Sequence, residues 1–487
     1  MSMRSARCLA VAVLCLASAS ASAGQDAAAA PQAPAQQTAG QQPLNPSQEL
    51  AKEEPEGGAL QVGPAELRVG GYLGLTAVHR STAGGGGVGT DFESIPYPDT
   101  LEGNVSETRF SAQQSRITLR VDAPVPEKPE EPRGRWPHFK RLSGYFEMDF
   151  NGTTPGTVAV TSSSLGLRLR HAFGAVQYGD SFFLAVGQAF SLMTPSKDQL
   201  SIWPGDVEMS TAVDTNYLVG LIWTRSPQVR LAWRPSRRFN WAVSAENPEQ
   251  QIGASLVKLP ECCASDIEAQ YNIGSNELSV PNLMPDLATR VAFNPTRALH
   301  VDAGAVVRAF RHTIKPYDSS FTELGGGVSV NLRVNATSST KLIGQSAFGS
   351  GLGRYVGGVV PDAVFRRDGS ISLLATTSWV GGVEQKLGSA WSLGGYYSGV
   401  SIANDYSADA NGEYIGYGFP GSPNSNNKRI GEITATLGLQ VAKSETRGSV
   451  QLAIQTSWLS RTPWDRSSGP ATADMLAFFA QLRYNLP

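Results

Sequence analysis

From about Glu66 to the C-terminus, apolar and polar side chains alternate in steps of two through one segment after another. In ELRVGGYLGLTAV the apolar set is Leu67, Val69, Leu73, Leu75 and Ala77, and in RITLRVDAP it is Ile117, Leu119 and Val121. RLSGYFEMDF sets Leu142, Phe146, Met148 and Phe150 against Glu147 and Asp149 on the other parity. The same beat returns in VRLAWR, FNWAVSAE, DLATRVAF, LHVDAGAVV, ITATLGLQV, SVQLAIQTSW and the terminal MLAFFAQLRYNL. Successive side chains of a strand point to opposite faces, whereas a helix would need apolar positions three and four apart. The pattern therefore predicts an all-β chain.

The connections narrow the architecture. Ser226-Pro227 and Pro235 to Arg238 read as short turns, while residues 81–105, 247–284 and 404–429 are long polar stretches rich in Gly and Pro. Soluble sandwiches seldom carry several structureless loops of that length, but outer-membrane barrels combine short turns at one end with long loops at the other. Many segments run to about 10 residues, the span of a tilted strand across a bilayer, rather than the roughly 5 to 6 usual in soluble sheets. The expectation is a transmembrane antiparallel β-barrel of about 16 strands. Closure matters because an open edge in lipid would leave unpaired backbone groups.

LGLRLRHAF, residues 165–173, then acquires a direction. An arginine facing mid-bilayer lipid costs about 2 to 4 kcal/mol, so Arg168 and Arg170 must face inward and the leucines outward. Applied along the chain, the inward parity holds Arg116, Arg120, Arg168, Arg170, Arg230, Arg234, Arg290, Arg308, Arg333 and Arg483 against Glu147, Asp149, Glu246, Asp302 and Glu432. A wall with this basic excess concentrates anions. The pore-lining, anion-binding candidates are Arg116, Arg120, Arg168, Arg170, Arg230, Arg290 and Arg308, with Glu147 and Asp149 as counter-charges. Residues 189–217 follow a strand without alternating; folded inward they would form a constriction loop whose Lys197, Asp198, Asp206 and Glu208 set the local field, and folded outward an ordinary loop.

Other features bound the function. The N-terminus places Arg4 and Arg7 before an apolar run ending Ala21-Ser22-Ala23, the pattern of a signal peptide over residues 1–23. Residues 24–65, rich in Ala, Gln and Pro, read as a disordered periplasmic linker, leaving 66–487 for the barrel. A net charge of -2 gives no electrostatic reason to expect nucleic acid. Cys262 and Cys263 are adjacent, so they supply neither a disulfide framework nor a chelating spacing; a vicinal disulfide, a link between chains and an unlinked pair all stay open. The histidines at 79, 138, 171, 300 and 312 are scattered, and no spacing implies a metal, a cofactor or a catalytic triad. His171 shares the apolar parity of its strand with Phe173 and reads as facing the barrel's exterior. Trp233, Trp241, Trp379, Trp391, Trp458 and Tyr484 suit aromatic girdles at the bilayer surfaces.

SAQQSRITLRVDAP, SGYFEMDFNG, LGLRLRHAFGAVQYGDSFFLAVGQAFS and SIWPG, within residues 111–205, resemble the DcaP-like outer-membrane porins. The positions that match that family's pattern are Arg116, Arg120, Glu147, Asp149, Arg168, Arg170 and Gln188. The resemblance implies a homotrimer of barrels in the outer membrane of a Gram-negative cell, passing small anionic solutes such as dicarboxylates. This chain departs from the family in lacking sustained heptads over 24–65 and in ending RYNLP rather than on an aromatic residue. The other readings are a phosphate-selective-type porin, a soluble periplasmic β-sheet binding protein, and a barrel enzyme or adhesin.

Overall fold

The computed structural model describes residues 59–84, 87–125, 139–152, 166–253, 256–272, 280–315, 319–466 and 468–487. The expected signal peptide and most of the expected linker lie outside the described residues. Strand structure already begins at Ala59, ahead of the Glu66 boundary read from composition.

The strands are β1 (Ala59–Val62), β2 (Ala65–Arg80), β3 (Glu107–Ser111), β4 (Arg116–Pro124), β5 (Phe139–Gly152), β6 (Gly166–Tyr178), β7 (Phe182–Phe190), β8 (Arg225–Trp233), β9 (Phe239–Glu246), β10 (Asp286–Phe293) and β11 (Leu299–Ile314). They continue with β12 (Ser319–Asn335), β13 (Thr340–Ser350), β14 (Ala363–Phe365), β15 (Ile371–Leu373), β16 (Ala375–Leu387), β17 (Trp391–Ile402), β18 (Asp405–Ala408), β19 (Tyr414–Tyr417), β20 (Asn427–Ser444), β21 (Gly448–Pro463) and β22 (Ala473–Asn485). Neighbours in the wall pair antiparallel, and β2 closes the ring on β22 from Tyr72↔Asn485 to Arg80↔Ala477. β3 and β4 both pair with β2 and form one wall strand broken at 112–115. The result is a closed sixteen-stranded barrel, with β1 folded back on the lower part of β2 and two small hairpins, β14–β15 and β18–β19, carried in the loops.

Connections of a few residues, such as 179–181, 234–238 and 388–390, share one end of the barrel with both ends of the described chain. The long connections, including 81–106, 247–285, 351–374 and 403–426, share the other. Ser226-Pro227 is not the turn that the sequence suggested. It lies at the start of β8, where Pro227 pairs opposite Gln188, a position near a strand's beginning that proline tolerates.

The long loops are packed rather than loose. Ile252, Ile267 and Tyr271 bury against Val364, Phe365 and Ile371, around a short helix, α1 (Ala264–Glu268). Cys262 and Cys263 are joined as a vicinal disulfide at the start of that helix.

On the wall the alternation read from sequence is realised with its apolar side outward. Val69, Leu73, Leu75, Leu167, Leu169, Leu184, Val229, Leu231, Leu287 and Val291 are all exposed, while Arg170, Arg290, Arg308 and Glu147 are buried inside. Burying one such side chain is worth about 1.5 to 3 kcal/mol, so a continuous exterior of this kind demands an apolar surrounding. Trp233, Trp241, Trp391 and Tyr484 are exposed near the short-turn end, as expected of residues with an apolar body and a polar tip at a lipid–water boundary.

Candidate functional site

Two irregularities in the wall gather the charges read from β4, β5 and β6. Between β5 and β6 the register passes from Glu147↔His171 to Met148↔Leu169, leaving Arg170 as an extra, unpaired residue. A bulge of this kind re-aims side chains. Beyond it the parity inverts, so His171 and Phe173 turn inward and are buried, correcting the exterior placement read from strict alternation. The second irregularity is the break at 112–115, where Thr76 Oγ1 donates to Gln114 Oε1 at 2.8 Å and the Ser115 hydroxyl accepts from Gly74 N at 3.0 Å.

The cluster that results is tightly bonded. Arg168 holds Asp149 with two parallel bonds, Nε to Oδ1 at 3.0 Å and Nη2 to Oδ2 at 2.7 Å. Arg170 spans both acids, with Nε to Glu147 Oε1 at 2.5 Å and Nη1 to Asp149 Oδ2 at 3.0 Å. Arg116 Nη1 lies 3.1 Å from Glu147 Oε1, and the Tyr145 hydroxyl donates to Glu147 Oε2 at 2.7 Å. Arg225 and Arg483 face the same cluster, the latter 4.4 Å over the Tyr72 ring that also lies beneath Arg116. Five guanidiniums (116, 168, 170, 225, 483) stand against two carboxylates (147, 149), a formal excess of three positive charges. Arg170 is closed off at 1% side-chain exposure, whereas Arg168 keeps 17%. Neither ring nitrogen of His171 has a hydrogen-bond partner among the described residues; its ring packs 4.9 Å from Phe190.

Residues 191–224, between β7 and β8, run across the interior, and the inward side chains of the wall grip their backbone. Glu246 of β9 accepts from Leu192 N at 2.8 Å, and Asp302 of β11 accepts from Ser196 N at 3.3 Å. Tyr396 of β17 accepts from Thr211 N at 2.9 Å, Gln455 of β21 from Asp214 N at 2.9 Å, and Glu432 of β20 from Val219 N at 3.0 Å. The far end is tied by Trp223 N to Tyr355 O at 2.9 Å. Toward the arginine cluster, Tyr217 meets Arg170 through its hydroxyl, and Trp203 packs under Arg120 at 4.5 Å and against Phe173 at 5.2 Å. Leu200 and Tyr217 take positive φ of 54° and 63°, which non-glycine residues rarely adopt and which mark a segment held by its surroundings.

The sequence-read candidates divide accordingly. Arg116, Arg168 and Arg170, with Glu147 and Asp149, form one constellation; Arg120 adjoins it through Trp203 and binds Asp122 at 2.6 Å. Arg230, Arg290 and Arg308 hold loops instead. Arg230 donates to Phe190 O at 2.5 Å and Ser201 O at 3.0 Å; Arg290 donates to Asp302 at 2.5 Å and Met193 O at 2.9 Å. Arg308 pairs Asp286 at 3.1 Å and Asp362 at 2.7 Å. Among the loop charges, Asp206 takes backbone N–H bonds from Asp198, Gln199 and Ser201, shaping its own turn, and burial pushes its carboxyl above the ordinary range. The Asp198 carbonyl accepts from Asn240 and Asn294, Lys197 is buried, and Glu208 sits between Arg333 at 3.4 Å and Lys341 at 3.1 Å. Gln188 donates its amide to Leu169 O at 3.1 Å across the bulge.

A closed sixteen-stranded wall, apolar outside and charged inside, with a connection laid across its interior, defines the porin fold. No protein-family model matches the chain, and no curated protein matches it in sequence. Among solved structures, the chain is similar to the crystal structure of the outer membrane channel DcaP of Acinetobacter baumannii, with 15% identity over 88% of this chain and 100% of that one and a TM-score of 0.63. The resemblance read in residues 111–205 therefore holds at the level of the fold. An anion-selective porin from Comamonas acidovorans matches at 10% identity over 87% of this chain and 100% of that one, TM-score 0.48. OmpT, an outer membrane protein of Vibrio cholerae, matches at 9% over 88% and 99%, TM-score 0.45.

Proposed function

We propose that this protein is an outer-membrane channel through which small anionic solutes, dicarboxylates among them, diffuse passively. The observation that carries the reading is the inward cluster at 116, 168 and 170, whose guanidiniums outnumber its carboxylates and whose Arg168 keeps access to the interior. Fixed cationic groups in a water-excluding wall lower the local potential for an anion, and a weak, shared arginine site releases what it attracts. The crossing segment 191–224 constricts the interior opposite this cluster, with Lys197, Asp198, Asp206 and Glu208 contributing through backbone geometry and wall pairing more than as free charges. Arg230, Arg290 and Arg308 serve the path by holding loops in place. In this reading residues 1–23 direct export, the barrel sits in the outer membrane of a Gram-negative cell with its short turns on the periplasmic side, and barrels assemble as homotrimers. Liposome swelling tests it: reconstituted protein admits succinate faster than a neutral solute or a diamine of similar size. Equal rates for all three, or no swelling, would remove the anion channel.

A further inference from the structure

We infer that a cavity of about 380 Å³ at the short-turn mouth of the barrel is a second binding station, built for small polyhydroxylated carboxylates of the sugar-acid class. It lies beside the lower ends of β12, β13, β16 and β17, roofed by Thr211 of the crossing segment, and shares no residue with the arginine cluster of β4 to β6. The inference deepens the channel reading, and rests on it only for the direction from which solute arrives.

Charge and hydroxyl content decide the class. Three cations line the cavity (Arg333, Lys341, Lys386) against Glu384 in the lining and Glu208 behind it, an excess of one. Lys341 is engaged on both sides, 2.7 Å from Glu384 and 3.1 Å from Glu208. Arg333 has only a 3.4 Å contact to Glu208, and its Nε is buried with no hydrogen-bond partner. Lys386 makes no ion pair among the described residues. Those two cations are the ones available to a carboxylate, which they would bind through charge-assisted hydrogen bonds.

The remaining lining is rich in hydroxyls, from Thr211 at the roof through the turn at Thr337 to Thr340 to Ser392 on β17. A hydroxyl both donates and accepts, so such a lining replaces the water shell of a polyol. Thr337, Ser339 and Thr340 already bond one another and Gln385, and Thr211 bonds Tyr396 and Thr436, so a polyol would meet their remaining lone pairs together with Ser338 and Ser392. A bare dicarboxylate brings no hydroxyl donors to them, and a neutral sugar would leave the cations unmatched. The volume falls within the roughly 300 to 1,000 Å³ of small-molecule sites.

Titration calorimetry on the detergent-folded protein, with gluconate, succinate and glucose as probes, provides the test. Gluconate should bind tightest, and Lys386→Gln with Arg333→Gln should weaken it about tenfold or more, the loss expected from removing charge-assisted bonds. Lys386→Gln alone, at an exposed position that holds no part of the fold, should give an intermediate loss and guards against misfolding of the double variant. Lys443→Gln, at an exposed position outside both the cavity lining and the arginine cluster, should leave gluconate binding within about twofold. Gluconate binding no tighter than succinate or glucose, or binding unchanged in both vestibule variants, overturns the inference. Conductance and binding separate the two claims: protein that binds gluconate but conducts nothing keeps the station and loses the channel, and protein that conducts with an affinity blind to these residues does the reverse.

Discussion

Replacing Arg170 with methionine tests whether the arginine cluster is a tensioned, buried unit or a set of incidental wall charges. Arg170 is almost wholly enclosed and makes two charge-assisted bonds, one to each acid. Bonds of this kind are each worth about 1.5 to 3 kcal/mol, which sets an upper figure near 6. Part of that returns, because Glu147 keeps Arg116 and Tyr145, Asp149 keeps Arg168, and removing one buried ion relieves its own desolvation. The expected net loss is about 3 kcal/mol, the lower end of what breaking a buried pair costs. Lys140→Met supplies the contrast, since Lys140 and Asp180 pair at 2.6 Å but remain 40% and 84% exposed, and such a pair contributes about 0 to 1 kcal/mol. Urea unfolding in detergent micelles, followed by tryptophan fluorescence, measures both, with Arg170→Lys as a milder variant should the methionine variant not fold. Equal losses for Arg170→Met and Lys140→Met would refute the reasoning.

Three further outcomes follow from the same geometry. Gly220→Ala should sharply reduce the yield of folded barrel in a heat-modifiability gel, because φ is 87° and an added Cβ would fall 2.1 Å from Gly399 O of the wall; normal yield would show that the segment is not seated as described. Gln455→Leu removes the acceptor of Val213 N and Asp214 N, leaving buried donors unsatisfied at about 1 to 3 kcal/mol, so amide exchange over 211–219 should quicken while that of the barrel strands stays slow. In loop 81–106, burial and the neighbouring Asp91 carboxylate push Glu93 up to about 8, against the pull of Arg461. A folded-state value above the unfolded one favours the fold while the carboxyl is neutral, so protection of this loop should be greatest below the ordinary glutamate range and fall as pH rises through about 8. Glu93→Gln should abolish that dependence in pH-stepped limited proteolysis, and a dependence that survives the substitution would assign it elsewhere.

The wall was legible in the sequence because its signal is local. Leu167, Arg168 and Leu169 declare opposite faces without reference to any other strand, and the cost of arginine in lipid chooses which face is inward. Long-range consequences were not legible. Arg230 and Arg290 look like Arg168 in parity, yet the former two donate to carbonyls of the crossing segment, and only the path of that segment decides it. Glu246, Asp302 and Glu432 read only as inward acids, yet each accepts a backbone N–H group of the crossing segment, Asp302 while also pairing with Arg290. His171 and Phe173 were misplaced because a bulge at Arg170 inverts the parity beyond it, and no residue type announces a bulge. Reading Ser226-Pro227 as a turn also hid Arg225, and strict alternation extended back from Val229 would still have set it on the outward parity of Pro227 and Val229. Tyr217 gave no signal at all, since it owes its place to a left-handed backbone deep in a connection.

Reversal potential across a planar bilayer under a tenfold potassium chloride gradient, for the parent protein and for Arg168→Ala, tests the central claim most directly. The account predicts stepwise conductance with a reversal potential of the sign that marks chloride as the preferred ion, moving toward zero in the variant as the accessible guanidinium of the cluster is lost. A cation-selective or unselective parent, or a potential that Arg168→Ala leaves unmoved, would contradict it.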